Sequence, residues 1–134
     1  MKIIDLAEEQ TELIEEGLSA HDDAFLHVKL SGSIRIGIEE DGQLIAGLDA
    51  CITAFRILYV STVFVEASHR RKGYGKALMQ EMETRAKAMG VNTIRLDTFN
   101  FQGKEFYEAL GYKVAGHYEN TEDGYSEYFF LKNI

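Results

Sequence analysis

Hydrophobic and polar residues change their spacing several times along this chain, and each change predicts a different element. Near the N-terminus, leucines and isoleucines recur every three or four residues among glutamates, which predicts an amphipathic helix over about residues 7–18 with a solvated acidic face. Residues 21–23, His-Asp-Asp, then indicate a polar loop. From Ser33 to Glu39 isoleucine alternates strictly with other residues, and turn-forming residues follow. This alternation predicts an antiparallel hairpin whose second strand begins near Leu44.

The rest of the chain continues with strand and helix patterns. Residues 57–65 are rich in β-branched and aromatic side chains and nearly continuous in apolar character, which predicts a central strand covered on both faces. A helical stripe follows, and Gly90 can end it in a left-handed cap; the stripe consists of Leu78, Met82, Ala86 and Met89. Further periodicities predict a strand, a short helix and two strands, at residues 93–99, 102–110, 112–118 and 125–131.

The order of these elements predicts the fold class. Helix, strands, helix, strand, helix and strands together make a mixed α/β (α+β) domain. Two strand–helix–strand crossovers imply parallel pairing near the middle of the sheet, with antiparallel pairs beside it. The chain has 134 residues, no internal repeat and no proline. One domain over residues 1–134, with one core and one functional site, is therefore expected.

Composition narrows the classes of function. The chain carries 14 lysines and arginines against 22 aspartates and glutamates, which gives a net charge of -8. Because this charge opposes binding to a phosphate backbone, nucleic acid is not an expected partner. No stretch approaches the roughly 20 apolar residues that span a bilayer, and the N-terminus lacks the apolar run of a signal peptide. We therefore expect a cytoplasmic protein without a membrane partner.

Cysteine and histidine indicate neither metal binding nor covalent catalysis. Cys51 is the only cysteine, which excludes internal disulfides and multi-cysteine zinc sites. Its neighbours Ala50 and Ile52 predict a buried strand thiol rather than a catalytic nucleophile. The four histidines lack both cysteine companions and the i, i+4 spacing of a helical metal pair, so no metal site is predicted.

Candidate chemistry is concentrated between the predicted strand at residues 57–65 and the helix that follows it. Gly73 and Gly75 let the backbone turn sharply and approach a ligand, at a helix start where unpaired amides and the dipole favour an anion. Four cationic residues gather here in an otherwise acidic chain: Arg70, Arg71, Lys72 and Lys76. This combination favours a phosphate-bearing small molecule; a solvated basic loop before an ordinary helix has the same composition.

Two known phosphate motifs do not fit this segment. A Walker loop requires Gly-x-x-x-x-Gly-Lys-Ser/Thr, but Ala77 follows the Gly-Lys pair and position 70 is arginine. A dinucleotide fingerprint needs a third glycine where Leu78 stands. The pattern that remains is Arg-x-x-Gly-x-Gly over residues 70–75, directly after the predicted strand.

This pattern resembles the pyrophosphate-binding motif of the GNAT superfamily of acyl-CoA-dependent N-acetyltransferases, Gln/Arg-x-x-Gly-x-Gly/Ala, which lies at such a strand-to-helix junction. A second stretch agrees, because residues 100–112 (NFQGKEFYEALGY) are similar to the family's Asn-x-x-Ala-x-x-x-Tyr followed by Leu-Gly-Phe/Tyr. The resemblance extends from about Ser33 to the C-terminus, and two motifs in the expected order are more specific than one. A departure is Gly103, where the family usually has alanine.

The resemblance implies a fold and a set of site residues. The fold would be a central mixed, mostly antiparallel twisted sheet flanked by helices, with a parallel pair at the binding site for acetyl-CoA, the acyl donor. The backbone of Phe64 and Val65 would hydrogen-bond the pantetheine arm like an added strand, and Asn100 would bond its other side. Tyr107 would approach the thioester sulfur as general acid, which suits a phenol that stays protonated at neutral pH. The remaining cofactor-binding residues would hold the pyrophosphate: Arg70, Arg71, Lys72, Gly73, Tyr74, Gly75 and Lys76.

The proton acceptor is the open part of the implied mechanism. An attacking amine must be neutral, and family members often supply a glutamate or histidine from the strand before the phosphate loop. Those positions fall near Tyr59 and Ser61, which are candidate substrate-site residues but poor bases. The candidate bases that remain are Glu66, Asp97 and His117. Direct attack without a covalent acetyl-enzyme is expected, because no nucleophile lies near the two motifs.

Two functions stay open at this stage. The first is transfer of an acetyl group from acetyl-CoA to a primary amine on a small molecule or a protein. The second is a non-catalytic acyl-CoA-binding module that senses the cofactor or serves a protein partner. Tyr107 and Asn100 favour the enzyme, and the missing strand carboxylate favours the module.

The acidic net charge favours a cationic acceptor. Homodimers are common in the family, and the C-terminal strands could mediate one.

Overall fold

Three α-helices and six strands make up the protein, whose computed structural model describes all 134 residues. The strands form one sheet in the order β1-β2-β3-β4-β6-β5, in which only β3 and β4 are parallel neighbours. The predicted mixed, mostly antiparallel sheet is therefore confirmed. In chain order the elements are α1 (Glu8–Asp22), β1 (Ser33–Glu40), β2 (Gln43–Ala54), β3 (Ile57–Val65), α2 (Tyr74–Met89), β4 (Thr93–Phe99), α3 (Lys104–Ala109), β5 (Lys113–Asn120) and β6 (Tyr125–Asn133).

Turn residues fix where several of these elements end. The β1–β2 hairpin closes through Asp41 and Gly42, whose φ angles of 52° and 75° match a two-residue turn that follows the twist of the strands. Helix α2 ends at Gly90, which adopts the predicted left-handed conformation at φ 99°. The predicted hairpin and the predicted end of α2 are both confirmed.

The two faces of the sheet differ in what covers them. On one face, alternate residues pack under α2, and the aromatic ring of Tyr107 in α3 contacts that of Phe130. The core on this face contains Leu58, Val60, Met79, Met82, Ile94, Leu96 and Phe130, all of them buried. No element of the chain covers the opposite face, which we call the open face. Its residues alternate with the core residues, and they include Cys51, Tyr59, Asp97, Phe129 and Leu131.

Two expectations about burial are wrong because the open face is uncovered. Strand β3 is not covered on both faces, since Leu58 and Val60 are buried while Ser61 is exposed. Cys51 is not a buried thiol either: it is exposed, although its neighbour Ala50 is fully buried. Apolar neighbours in sequence do not distinguish the two faces of a strand, because successive side chains point to opposite sides.

The second strand–helix–strand crossover does not produce a second parallel pair. Strand β6 lies between β4 and β5 and is antiparallel to both. Its Phe130 therefore reaches the centre of the core opposite Leu96. Helix α3 is also shorter than predicted, beginning at Lys104 and ending at Ala109.

The N-terminal helix extends further than predicted and is not packed on the sheet. Helix α1 continues through Ser19 to Asp22, into the segment predicted as a polar loop, because nothing after Gly17 breaks its backbone hydrogen bonds. None of its residues is buried. We call residues 1–25 the arm. No helix of the structure combines the length and the apolar character that crossing a bilayer requires.

Candidate active site

A cleft opens where the parallel strands separate. Strands β3 and β4 pair only from Ile57–Tyr59 and Thr93–Arg95, and a bulge at Ser61 increases the twist of β3 just beyond this pairing. The resulting cavity has a volume of about 970 Å³. Residues from both strands, from α2 and from α3 line it, including Val63, Phe64, Val65, Asp97, Thr98, Gln102, Phe106 and Tyr107. Because Asp97 lies on the open face and Tyr107 on the core face, the cleft passes through the sheet.

The loop between β3 and α2 presents a row of unpaired amides to one end of this cleft. Arg71 and Gly73 have φ angles of 62° and 86°, which turns successive N–H groups toward the same side. The amides of residues 71–76 donate to no group of the chain, and those of Tyr74, Gly75 and Lys76 form the first turn of α2. Such a nest at a helix N-terminus attracts an anion.

The four cations of the loop differ in their surroundings. The Arg70 guanidinium donates from Nε to the carbonyl oxygen of Val65 at 2.9 Å and lies 5.8 Å from the ring centroid of Phe64. These contacts therefore stabilise the end of β3. Arg71, Lys72 and Lys76 are exposed and form no ion pair, so their charges are available to a ligand at the loop.

Gly75 allows the loop to approach α3 closely. A Cβ atom at this position would lie 3.2 Å from Cζ of Phe106, closer than nearly all real contacts. Tyr74 beside it donates its hydroxyl to Glu40 on β1, and His69 Nε2 lies 3.2 Å from the same carboxylate. The hydrogen bond from Tyr74, assisted by the charge of His69, lowers the pKa of Glu40. These contacts fix the start of α2 against the hairpin and α3.

Tyr107 brings a phenol to the cleft from α3. Its ring packs edge-on to Phe106 and Tyr112, with centroid distances of 5.1 and 6.1 Å, and lies tilted against Phe130 at 6.0 Å. Its hydroxyl has no hydrogen-bond partner in the chain. Burial, with a smaller effect of the Asp97 charge, raises the pKa of Tyr107. The group therefore holds its proton at neutral pH and remains free to donate it.

Gly103 has a steric role at the start of α3. A Cβ at this position would lie 3.2 Å from Cε2 of Tyr107. Its φ of -131° is accessible to any residue, so the backbone does not require glycine here. Glycine instead leaves room for the Tyr107 ring, and the departure from alanine has a local packing explanation.

Asp97 and Tyr59 form a hydrogen-bonded pair on the open face beside the cleft. The Tyr59 hydroxyl donates to Asp97 Oδ2 at 2.9 Å, and the Arg95 guanidinium lies 4.6 Å from the centroid of the Tyr59 ring. Burial, followed by the hydrogen bond to Asp97, raises the pKa of Tyr59. Asp97 thus accepts a hydrogen bond from a group that does not ionise near neutral pH, and its second oxygen remains available.

Comparison with known proteins identifies the family. Residues 2–112 match the family model described as Acetyltransferase (GNAT) family. The chain belongs to the GNAT acetyltransferase family. Its members are acetyl-CoA-dependent N-acyltransferases, so the enzyme hypothesis is confirmed over the non-catalytic module at the level of the family.

Individual relatives agree with this assignment. The chain is 28% identical to blasticidin-S acetyltransferase of Streptomyces morookaense over 71% of this chain and 70% of that protein. An acetyltransferase crystal structure from Bacillus cereus has a TM-score of 0.94 and 29% identity, covering 100% of this chain and 98% of that one. An aminoglycoside 6'-N-acetyltransferase complexed with coenzyme A has the same fold, with a TM-score of 0.67 and 19% identity, covering 95% and 81% of the two chains.

Two of the three candidate bases of this acetyltransferase lie away from the cleft. Glu66 follows β3 and faces His69, 3.7 Å from its Nδ1. His117 on β5 stacks on Tyr128 at a centroid distance of 5.8 Å. Neither residue lines the cavity, whereas Asp97 does. The two predicted substrate residues differ: Ser61 lines the cleft, and Tyr59 reaches it through its bond to Asp97.

Asn100 has a structural partner that sequence reasoning did not anticipate. Its Oδ1 accepts a hydrogen bond from the Ser126 amide at 2.9 Å, and its own amide donates to the Ser126 carbonyl at 2.9 Å. These bonds join the end of β4 to β6. Its Nδ2 group is not hydrogen-bonded within the chain, but Asn100 does not line the cavity, so its role toward the pantetheine arm stays a prediction.

Some cleft residues of the acetyltransferase carried no signal in the sequence. Gln102 Oε1 accepts a hydrogen bond from the Phe99 amide at 2.9 Å. Thr98 Oγ1 accepts a hydrogen bond from the Gly103 amide at 3.2 Å. These bonds shape the turn between β4 and α3. Thr98 is buried among core residues and could have been noticed as a polar position in an apolar alternation. Phe101 lines the cavity as an exposed aromatic side chain, which no spacing rule predicts.

Proposed function

We propose that the protein transfers an acetyl group from acetyl-CoA to a cationic primary amine by direct attack. The observation that supports this most strongly is the single cleft through the sheet, with the amide nest of residues 71–76 at one end and Tyr107 beside Asp97 at the other. Pyrophosphate would bind at the nest, and the pantetheine arm would lie along the free edge of β3 at Phe64 and Val65. The thioester would then reach Tyr107.

The open face beside Asp97 has the chemistry of a site for an organic cation. Glu127 lies opposite Phe99 in the sheet register and accepts a hydrogen bond from the Tyr118 hydroxyl at 2.6 Å. The two carboxylates of Asp97 and Glu127 therefore share this surface with the rings of Tyr59 and Tyr118. Carboxylates attract an ammonium group, and an aromatic face stabilises it by about 0.5–1 kcal/mol at an exposed site and by about 2 kcal/mol when it is desolvated. An amine acceptor carrying more than one positive charge would use both contacts.

The reaction needs one proton acceptor and one proton donor. A lysine-like ammonium loses a proton to become nucleophilic, at a cost of roughly 4 kcal/mol at pH 7.4. In our proposal Asp97 takes this proton, directly or through a water molecule. The amine lone pair then forms the C–N bond, the C–S bond breaks, and the thiolate receives the Tyr107 proton. The nitrogen loses its second proton to solvent as the amide forms, and the proton held by Asp97 returns to Tyr107 through solvent, so the products are the amide, free coenzyme A and one proton.

Removal of the Tyr107 hydroxyl tests the central step. Tyr107→Phe should reduce kcat by about 10²-fold, because general acid catalysis contributes at least that much, while the Kd for acetyl-CoA stays within about twofold. Release of thiol from acetyl-CoA would be followed with a panel of amines, polyamines, aminoglycosides, blasticidin-S and peptides. The relatives named above motivate the aminoglycosides and blasticidin-S in this panel.

A matched control separates catalysis from loss of packing. Tyr128→Phe removes a phenol hydroxyl outside the cleft and should leave kcat unchanged. Equal turnover in Tyr107→Phe and the native enzyme would contradict the role of Tyr107. Tight acetyl-CoA binding without turnover on any amine would contradict the amine acceptor, and failure to bind acetyl-CoA would contradict the assignment of the nest.

A further inference from the structure

The turn after β4 presents an aromatic ring that its own chain leaves largely uncovered. Phe101 is 72% exposed and lines the cleft, and one face of its ring stacks on Phe99 at a centroid distance of 5.5 Å, with 8° between the two planes. Phe99 does not line the cleft, so it supports the Phe101 ring from behind. The second face of Phe101 has no aromatic partner in the chain and is open to a ligand.

The supporting ring is itself held in place by further aromatic contacts. Phe99 is half-buried and meets Tyr125 edge-on at 5.7 Å, and Tyr125 meets Tyr118 edge-on at 6.2 Å. The Tyr125 hydroxyl accepts a hydrogen bond from Asn120 Nδ2 at 3.4 Å. Rings packed in this way fix the orientation of one another. Phe101 therefore rests on a surface that is already ordered before a ligand arrives, which reduces the entropic cost of binding.

Two carboxylates lie beside this pair of rings. In the sheet register Asp97 is opposite Phe129 and Phe99 is opposite Glu127, so the carboxylates occupy one diagonal of a four-residue patch and the two phenyl rings occupy the other. Diagonal neighbours of this kind are about 7–8 Å apart. Neither carboxylate forms an ion pair with a cation of the chain. The patch therefore offers negative charge and aromatic surface within reach of one small molecule.

The position of Phe101 assigns its ring to the acceptor side of the cleft. Phe99 and Asp97 are two residues apart on β4, so both point to the open face. Phe101 stacks on Phe99 and therefore lies on this side, whereas Tyr107 enters the cleft from the core face. The amide nest of residues 71–76 lies at the other end. An aliphatic amine at Asp97 would leave the free face of Phe101 in water, and a flat ring would cover it.

We propose that the acceptor is an aromatic primary amine, whose ring stacks on the free face of Phe101 while its ammonium group is held by Asp97. This inference rests on the proposed function and names the class of substrate within it. A flat ring gains stacking in addition to burial, whereas a saturated ring of the same size buries at least as much apolar surface and cannot stack. Phe101 is thus a residue that determines specificity and takes no part in the chemical step.

Discrimination between an aromatic amine and its saturated counterpart tests the proposal. Thiol release from acetyl-CoA would give kcat/KM for phenethylamine and for cyclohexylethylamine, which share a carbon skeleton and a charge. The native enzyme should prefer the aromatic amine by about fivefold. Phe101→Leu keeps an apolar side chain without a ring and should abolish this preference, and Phe101→Tyr should preserve it. The matched control is Phe25→Leu on the arm, where the native side chain is 67% exposed and the preference should not change.

Binding of amines that cannot be acetylated separates this proposal from the proposed function. The N,N-dimethyl derivatives of both amines keep the positive charge and one N–H but form no stable amide, so NMR titration in the presence of coenzyme A measures their Kd without any turnover. The aromatic derivative should bind the native protein about fivefold more tightly than the saturated one, and Phe101→Leu should bind both equally.

Three results would overturn the proposal. They are equal Kd values or no binding of the two derivatives to the native protein, an unchanged preference in Phe101→Leu, and a loss of acetyl-CoA affinity in Phe101→Leu, which would place the ring in the donor site. A binding preference that depends on Phe101, without turnover of either primary amine, would support the aromatic acceptor and contradict only the proposed chemistry.

Discussion

Asp97 is the carboxylate whose position connects the open face to the reacting end of the cleft. It accepts a hydrogen bond from the Tyr59 hydroxyl at 2.9 Å. Its negative charge adds to the effect of burial in raising the pKa of Tyr107. One side chain could therefore attract the acceptor ammonium, take up its proton and help to keep the general acid protonated. Glu66 and His117 do not combine these properties, because Glu66 faces His69 and His117 stacks on Tyr128.

We predict that Asp97→Asn lowers kcat/KM by about 10²-fold near neutral pH, because the neutral amide cannot accept the amine proton. The loss should diminish as the pH rises toward the pKa of the amine, where solvent supplies the neutral nucleophile. The control is Asp41→Asn, which makes the same change at the tip of the β1–β2 turn, where asparagine tolerates the positive φ. A deficit that is constant with pH would assign Asp97 to acceptor binding alone.

Tyr112 gives a pH dependence of stability that is separate from catalysis. It is 2% exposed and donates its hydroxyl to Glu83 at 2.9 Å. Burial, followed by the charge of Glu83, raises its pKa well above the ordinary value of 10.0. Folding therefore favours the neutral phenol, so this contribution to stability is complete below pH 10 and is lost as the pH rises above 10.

We expect the free energy of unfolding to fall as the pH rises above about 10, and to fall less steeply in Tyr112→Phe than in the native protein. Glu83 keeps its ion pair with Lys132 at 2.8 Å in this variant. Urea unfolding at a series of pH values measures both slopes. Equal slopes would show that another group dominates the alkaline loss.

At the level of elements, the loop between β3 and α2 was predictable because its sequence signals are local. Glycine spacing, positive charge and a helix start lie within residues 70–76, and the structure places unpaired amides there. The hairpin, β3, β4 and the end of α2 were predictable for the same reason. Their signals are turn residues and short periodicities that do not depend on distant parts of the chain.

Other features depend on contacts that the sequence does not encode locally. The insertion of β6 between β4 and β5 follows from the burial of Phe130, and the bond from Ser126 to Asn100 follows from that insertion. The exposure of Cys51 depends on whether another element covers the sheet face. The apolar stripe of α1 predicted an amphipathic helix with a solvated acidic face, and it could not show that the apolar side is exposed as well.

The loop also supports a quantitative expectation. Neutralising Arg71 and Lys72 together should raise the Kd for acetyl-CoA about tenfold at low salt, which corresponds to about 1.4 kcal/mol. The difference from the native protein should shrink as salt is added, because both side chains are exposed and their charges are screened. Isothermal titration calorimetry at two ionic strengths measures this. Lys87→Ala, at the other end of α2, is the matched control and should bind normally; an unchanged Kd in the double variant would contradict the role of the charges.

At the scale of the whole molecule, the sheet consists of two antiparallel blocks, β1-β2-β3 and β4-β6-β5. They are joined at the parallel seam, where the register pairs only Ile57, Leu58 and Tyr59 with Thr93, Ile94 and Arg95. A seam this short joins the two blocks by few backbone bonds, so their relative motion is resisted mainly by the side chains packed across it, such as those of Leu58 and Ile94.

The short seam has a mechanical consequence. A molecule of acetyl-CoA that bonds along β3 and reaches α3 would bridge the two blocks beyond the seam, so that ligand binding closes a hinge as well as filling a cleft. Amide hydrogen exchange should therefore slow at residues 57–59 and 93–95 on addition of acetyl-CoA, and change little in the β1–β2 hairpin. Uniform slowing across both regions would mean that the sheet moves as one rigid body. If exchange slows only at the seam, the opening of the two blocks relative to each other is controlled by the binding and release of acetyl-CoA.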